Sequence, residues 1–225
     1  MGSSPSISQL SKVLVSDFDG TMTRHDFYKL AIERLLPANL PDYWAKYRTG
    51  ELTHFEALKS YFEAIRAPEQ AVVEVVEAMG LDPDLPAALQ RLQKAQWSVV
   101  ITSAGCEWYI RHLLGSRGID LQIYSNPGRF EAGRGLVMEL PYDRLDFSPT
   151  LGIDKEKVVR RYLGQAAKVA FAGDGFPDAA PARLVAADLR FARGDLADVL
   201  RSENLPFHPF ETWSDIARTL APRDS

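Results

Sequence analysis

Five short runs of apolar, mostly β-branched residues recur along the chain, with helix-length stretches between most of them, and this alternation constrains the fold more than any other feature. The runs are Lys12-Val13-Leu14-Val15-Ser16, Ser98-Val99-Val100-Ile101-Thr102, Leu121-Gln122-Ile123-Tyr124, Lys168-Val169-Ala170-Phe171-Ala172 and Asp188-Leu189-Arg190-Phe191-Ala192. Runs of this kind suit strands buried on both faces, as in a parallel sheet sandwiched by helices. Their alternation with helical patterns predicts an α/β, doubly wound, Rossmann-like parallel sheet. A chain of 225 residues holds one such domain with a sizeable insert.

The insert falls between the first two runs, where residues 25–89 carry helical signals and no convincing strand. Thr53 and Glu56 form a capping box ahead of Phe55, Leu58, Phe62 and Ile65, which share one helical face. Pro68 opens a helix bearing Val72, Val73, Val75 and Val76, and Gly80 is placed to close it. A parallel crossover needs only about a dozen residues. Residues 25–89 are therefore expected to be an all-helical subdomain inserted into a core built from 1–24 and 90–225. Further on, Asn126-Pro127-Gly128 and the glycines at 133 and 135 predict a hairpin joining Arg129-Phe130-Glu131 to Leu136-Val137-Met138-Glu139.

Composition narrows the partners. The net charge is −4 with no long Lys/Arg block, which argues against nucleic acid or an anionic membrane surface. Apolar runs of a few residues cannot span a bilayer. Met1 to Gln9 is polar and Ser-rich, unlike a signal peptide, and reads as a frayed leader. The single cysteine, Cys106, excludes an internal disulfide and a cysteine-based zinc cluster. A cytoplasmic protein is expected, and nothing in the sequence sets its oligomeric state.

In an open α/β sheet, ligands bind beyond the carboxyl ends of the strands. The residues there carry chemistry: Asp17-Phe18-Asp19-Gly20-Thr21 after the first run, Ser103-Ala104-Gly105 after the second, and Gly173-Asp174-Gly175-Phe176-Pro177-Asp178 after the fourth. Before the fourth run, Asp154 can cap a helix that carries Lys155 in its first turn. Four acids, a hydroxyl and a lysine should meet at one sheet edge. A carboxylate can attack phosphorus to give an aspartyl-phosphate. A second carboxylate two residues on returns to the same side, placed to protonate a leaving oxygen and later to deprotonate water. Clustered carboxylates repel a phosphate unless a hard cation lies between them, and oxygen ligands suit Mg²⁺. Ser103 and the amides around Ala104, expected at a helix N-terminus, would bind phosphoryl oxygens, and Lys155 would supply positive charge.

Taken together, these four segments resemble the four signatures of the haloacid dehalogenase (HAD) superfamily. Asp17 to Thr21 resembles the first, Ser103 the second, Lys155 the third and Gly173 to Asp178 the fourth. The resemblance implies Asp17 as covalent nucleophile and Asp19 as general acid/base. It implies Mg²⁺ held by Asp17, the Asp19 backbone carbonyl and Asp174, with Asp178 ligating it or orienting its waters. The helical insert resembles the C1-type cap of the phosphoserine-phosphatase-like branch. Asp-Gly-Thr-x-Thr-x-x-Asp at 19–26, Ile-Tyr-Ser-Asn at 123–126 and Leu-x-Phe-Ala-Arg at 189–193 resemble the methionine-salvage phosphatases, although this chain lacks the cysteines that precede the lysine in that group. The pattern from Gly173 to Pro181 is closer to phosphoethanolamine/phosphocholine phosphatases. The implied substrate is a small phosphomonoester: a methylthio-ketopentenyl phosphate, phosphoethanolamine, phosphocholine or phosphoserine. Phosphoserine ranks lower, because Arg48 is a weak candidate for gripping its carboxylate. A phosphotransferase or phosphomutase using the same intermediate is the competing enzyme reading, and a silent binding module the non-enzyme one.

Several positions have competitors. Lys155 is preferred to Lys157, which lies nearly opposite on its helix and should be solvated. Ser103 is preferred to Thr102, which should end its strand and bond locally. Asp154 is read as a cap only, and Cys106 and Trp108 as packed residues. Asp26, just past the first signature, is placed to touch substrate. The Tyr43-Trp44-x-x-Tyr47-Arg48 stretch is read as a helix face packed on the insert's own core, rather than as the mouth of a pocket.

Overall fold

The structure is a computed structural model and describes residues 12–222; the polar leader at residues 1–9 lies outside the described residues. Strand β1 (Lys12–Ser16) is followed by five helices, α1 (Phe27–Arg34), α2 (Tyr43–Arg48), α3 (His54–Glu63), α4 (Glu69–Glu77) and α5 (Leu85–Lys94). Then come β2 (Trp97–Cys106), α6 (Glu107–Gly115), β3 (Gln122–Asn126), and the hairpin of β4 (Gly128–Glu131) and β5 (Gly135–Met138). A two-residue ribbon, β6 (Phe147–Ser148) and β7 (Gly152–Ile153), leads into α7 (Lys155–Leu163) and β8 (Lys168–Gly173). The chain ends with α8 (Ala179–Leu184), β9 (Arg190–Ala192), α9 (Gly194–Ser202), β10 (His208–Pro209) and α10 (Trp213–Leu220).

Six strands form one sheet in the order β10-β9-β8-β1-β2-β3, and every neighbouring pair is parallel. The order of strand addition reverses at β1, with β2 and β3 on one side and β8, β9 and β10 on the other, which makes the doubly wound topology expected from the alternation. Successive side chains of a strand face opposite sides, and β1 displays this directly. Leu14 joins a core with α5, α6 and α10, whereas Val13 and Val15 join a second core with α7, α8 and α9. Strand β1 is central, and Val13, Leu14 and Val15 are fully buried.

The expected strands are found with shifted ends, β3 running over Gln122–Asn126, and one further strand joins them. Strand β2 continues past Thr102 to Cys106, with a register shift between those residues. Asp188 and Leu189 lie in a 3-10 turn, so the strand there begins at Arg190. The sixth strand, β10, is two residues long and includes a proline, too short to leave a sequence pattern.

Within 25–89, the capping box at Thr53 and Glu56 is formed, with Thr53 N donating to the Glu56 carboxylate at 2.7 Å. Phe55, Leu58, Phe62 and Ile65 are buried as their spacing predicts. Helix α3 is joined to the hairpin side of the core: Lys59 Nζ donates to Met138 O at 2.7 Å, and Phe55 N to Thr150 O at 2.9 Å. Helix α5 packs on α10 and β2, so position 89 falls inside a helix that lies against the sheet. No helix among the described residues is long and apolar enough to cross a membrane.

Candidate active site

The loop after β1 makes a tight return. Gly20 has φ +68°, a conformation that favours glycine. A Cβ there would lie 2.3 Å from Asp174 Oδ2, so this close approach needs glycine as well. The Arg193 guanidinium, arriving from the end of β9, holds the turn by donating to Gly20 O and, at 2.7 Å, to Thr23 O. This turn sets Asp17, Asp19 and Asp174 around one cavity of about 450 Å³.

Asp17 is buried at the end of β1. Its Oδ1 accepts from Lys155 Nζ at 2.6 Å and its Oδ2 from Thr21 Oγ1 at 3.2 Å. Burial pushes its carboxyl up to about 6 against the opposing pull of Lys155. Lys155, in the first turn of α7, also donates to Asp178 Oδ1 at 2.6 Å. Burial would lower the lysine, but the two carboxylates outweigh it and raise its affinity for the proton. Asp178 accepts from the amides of Asp174 and Gly175 at 3.1 and 3.0 Å through its other oxygen. Asp174 is pushed up to about 9, first by burial and then by the charges of Asp17 and Asp178.

That repulsion is what a cation would relieve. Asp17, Asp174 and Asp178 each offer a carboxylate oxygen within 4.8 Å of the others, a donor set that fits a hard divalent ion. Thr21 Oγ1 braces the group by reaching Asp174 Oδ1 at 3.0 Å as well as Asp17.

The side chain of Asp19 turns away from this cluster. Its Oδ1 accepts from Phe27 N at 2.9 Å; its Oδ2 accepts from the Tyr109 hydroxyl at 2.7 Å and faces Ser103 Oγ at 3.5 Å. Burial, followed by the charge of Asp26, raises its carboxyl to about 7.

Ser103, Ala104 and Gly105 line the same cavity, though not at a helix N-terminus as expected. Asn126 Nδ2 donates to Ala104 O at 2.7 Å and Ser125 Oγ to Gly105 O at 2.8 Å, which keeps this segment in the strand layer. Helix α6 therefore starts only at Glu107. The Thr102 hydroxyl is buried without a partner among the described residues, so the expected local bond is not made. Lys157 is half exposed and donates to Phe147 O at 2.8 Å, away from the acids. Asp154 caps α7 through Lys157 N at 3.2 Å. Cys106 is fully buried.

Asp26 lies on the cavity and pairs with Lys29 at 2.5 Å. Trp44, Tyr47 and Arg48 also line it, so the face of α2 read as packing forms part of the mouth. Tyr43 and Trp44 do pack on the insert's core, half-buried against Tyr61 at ring distances of 4.9 and 6.1 Å, so the same face serves both purposes. Arg48 stays mostly exposed beside Asp42. His54 completes this wall between the rings of Trp44 and Tyr47, at centroid distances of 5.1 and 5.6 Å. Burial and the charge of Lys155 lower His54 to about 4.

The sequence reading missed Tyr109, Thr21 and His54. Tyr109 sits among Ile110, Leu113 and Leu114 on the buried face of α6, so in sequence it is one more core aromatic.

The chain is similar over most of its length to known phosphatases. A 2-hydroxy-3-keto-5-methylthiopentenyl-1-phosphate phosphatase of Microcystis aeruginosa is 26% identical over 216 residues, 96% of this chain and 100% of that one. A polyol phosphate phosphatase of Saccharomyces cerevisiae is 28% identical over 230 residues, 92% of each chain. The crystal structure of phosphoserine phosphatase from T. onnurineus shares the fold, with a TM-score of 0.61 at 18% identity over 98% of this chain and 100% of that one. The pattern of the haloacid dehalogenase-like hydrolases matches residues 14–183, and the chain belongs to that family.

Proposed function

We propose that this protein is a Mg²⁺-dependent phosphatase of small phosphomonoesters that works through an aspartyl-phosphate on Asp17. The observation that carries this reading is the convergence of Asp17, Asp19, Ser103, Lys155, Asp174 and Asp178 on one cavity. Asp17 attacks phosphorus, the bond to the leaving oxygen breaks, and Asp19 delivers the proton that oxygen needs. Water then attacks the aspartyl-phosphate while Asp19 takes its proton, releasing phosphate and restoring both acids. Ser103 and the backbone at Ala104 bind phosphoryl oxygens, and Lys155 orients Asp17 and neutralises charge. Asp17, Asp174 and the Asp19 carbonyl would hold Mg²⁺, with Asp178 ligating it or fixing its waters and the lysine. The ion, when bound, offsets the negative charge of the transferred group.

Residues 25–89 act in this reading as a cap over the cavity, with Asp26 against the substrate. Trp44, Tyr47, His54, Leu58 and Phe62 make an uncharged stretch of the lining at neutral pH, while the two cations beside it, Lys29 and Arg48, are paired with Asp26 and Asp42, which suits a leaving group without a carboxylate. The methylthio-ketopentenyl phosphate named for the Microcystis relative fits this wall, as does a polyol phosphate. Phosphoethanolamine, phosphocholine and phosphoserine follow, the last disfavoured because Arg48 is held by Asp42 at the surface. The test is a panel of metabolite phosphates, phosphopeptides and nucleic-acid ends, compared by kcat/KM, with Asp17→Asn as control. A small metabolite should lead, and the variant should be folded and inactive. Substantial activity in Asp17→Asn would sink the mechanism; a macromolecule outperforming every metabolite would sink the substrate class.

A further inference from the structure

Asp19 has two oxygens in different surroundings, and the difference bears on which of them handles the proton. Oδ1 accepts the backbone N–H of Phe27 at the start of α1. Oδ2 lies on the Ser103 side, 3.5 Å from that hydroxyl, and accepts a 2.7 Å hydrogen bond from Tyr109. The ring of Tyr109 is held on both sides: stacked on Phe27 at 4.6 Å with an interplanar angle of 22°, and edge-on to Phe62 at 6.1 Å. Only 1% of the residue is exposed. Its hydroxyl occupies space that only a glycine leaves open, since a Cβ on Gly105 would lie 1.7 Å from the Tyr109 oxygen.

We propose that Tyr109 is the positioning residue for proton transfer at this site, its hydroxyl aiming Asp19 Oδ2 at the leaving-group oxygen and holding that oxygen as charge develops on it. This rests on the phosphatase reading with Asp19 as acid. The hydroxyl's part is to donate a hydrogen bond to Oδ2, not to transfer its own proton. As Asp19 releases its proton, negative charge grows on Oδ2 and a neutral hydrogen bond becomes a charge-assisted one, which is shorter and stronger. The gain arises in the transition state, so it should appear in kcat rather than KM. It should also grow as the leaving group becomes a poorer one, because protonation then matters more.

The experiment compares phenyl phosphate, which needs its leaving oxygen protonated, with p-nitrophenyl phosphate, which needs it little. Tyr109→Phe keeps the ring and its stacking and removes the hydroxyl. A lost hydrogen bond to a charged group predicts that kcat for phenyl phosphate falls by roughly ten- to a hundredfold. For p-nitrophenyl phosphate the fall should be no more than about threefold, and KM for both should stay within about twofold. The double variant Asp19→Asn/Tyr109→Phe should be no slower than Asp19→Asn alone, since the tyrosine acts through Asp19. Equal losses on both esters, or additive losses in the double variant, would overturn the proposal and leave Tyr109 a packing residue. An Asp19→Asn variant indifferent to the leaving group would instead remove the acid role from Asp19, and a wild type inactive on these esters and on every small phosphate of the panel would overturn the phosphatase reading beneath it.

Discussion

His54 gives a pH-dependent stability that can be worked out from its surroundings. It lies between Trp44 and Tyr47, its Nδ1 is buried without a hydrogen-bond partner among the described residues, and the charge of Lys155 is felt there. These place its folded-state value at about 4, against 6.5 for the unperturbed side chain. The unfolded chain therefore takes up the proton first as pH falls. Above pH 6.5 the residue has no effect on stability; between 6.5 and 4 the folded state is progressively disfavoured. A tenfold difference in proton affinity corresponds to about 1.4 kcal/mol. At pH 5 the loss comes to about 2 kcal/mol, rising to about 3 kcal/mol below pH 4. In a chain of this length 2 kcal/mol lowers Tm by roughly 4–8 °C. The assay is thermal unfolding from pH 7.5 to 4.5 for wild type and His54→Phe, which keeps a ring in the slot and cannot titrate. Wild type should lose stability more steeply by that amount. Parallel pH profiles would refute the assignment of a neutral, buried His54, and with it the uncharged wall proposed for the leaving group.

Other expectations follow from the same site. Lys155→Met leaves Asp17 and Asp178 buried without their cation, so it should lower stability by about 3–5 kcal/mol in urea titrations and impair both phosphate binding and turnover. Lys157→Met, at the surface, should do little, and the reverse ranking would show that the lysines are misassigned. Chelation should inactivate the enzyme and Mg²⁺ restore it; at a hundredfold excess over Kd the ion should add about 2.7 kcal/mol to stability. That gain should vanish in Asp174→Asn, and an undiminished gain would place the ion elsewhere. Gly20→Ala forces a side chain into left-handed backbone, at about 1–2 kcal/mol, and onto Asp174. Weaker Mg²⁺ binding should accompany that loss in calorimetry, and unchanged binding would mean that the turn does not set Asp174.

Local pattern in the sequence determined the sheet, the two hairpin strands, the capping box and the identity of the acids. β-branched runs bury only as covered strands, and the residues just past such strands stand at the ligand edge whatever the rest of the chain does. Asp17, Asp19, Asp174 and Asp178 were legible for that reason, and Lys155 because Asp154 fixes the start of its helix. What tertiary structure alone decided is which side chains from distant segments meet. The Ser103 segment stays extended because Ser125 and Asn126, on the neighbouring strand, take up its carbonyls. Trp44 packs on Tyr61 of α3 with one side and lines the cavity with Tyr47 on the other, because α2 lies over the edge of the insert's core. Tyr109 reaches Asp19 across 90 residues because Gly105 leaves room for its hydroxyl. Tyr109 belongs to the core cluster and Trp44 packs on it, and both reach the cavity as well, a double placement that a helical period cannot signal. The sequence period is the same for core and cavity, and only the packing of the whole chain brings a side chain to both.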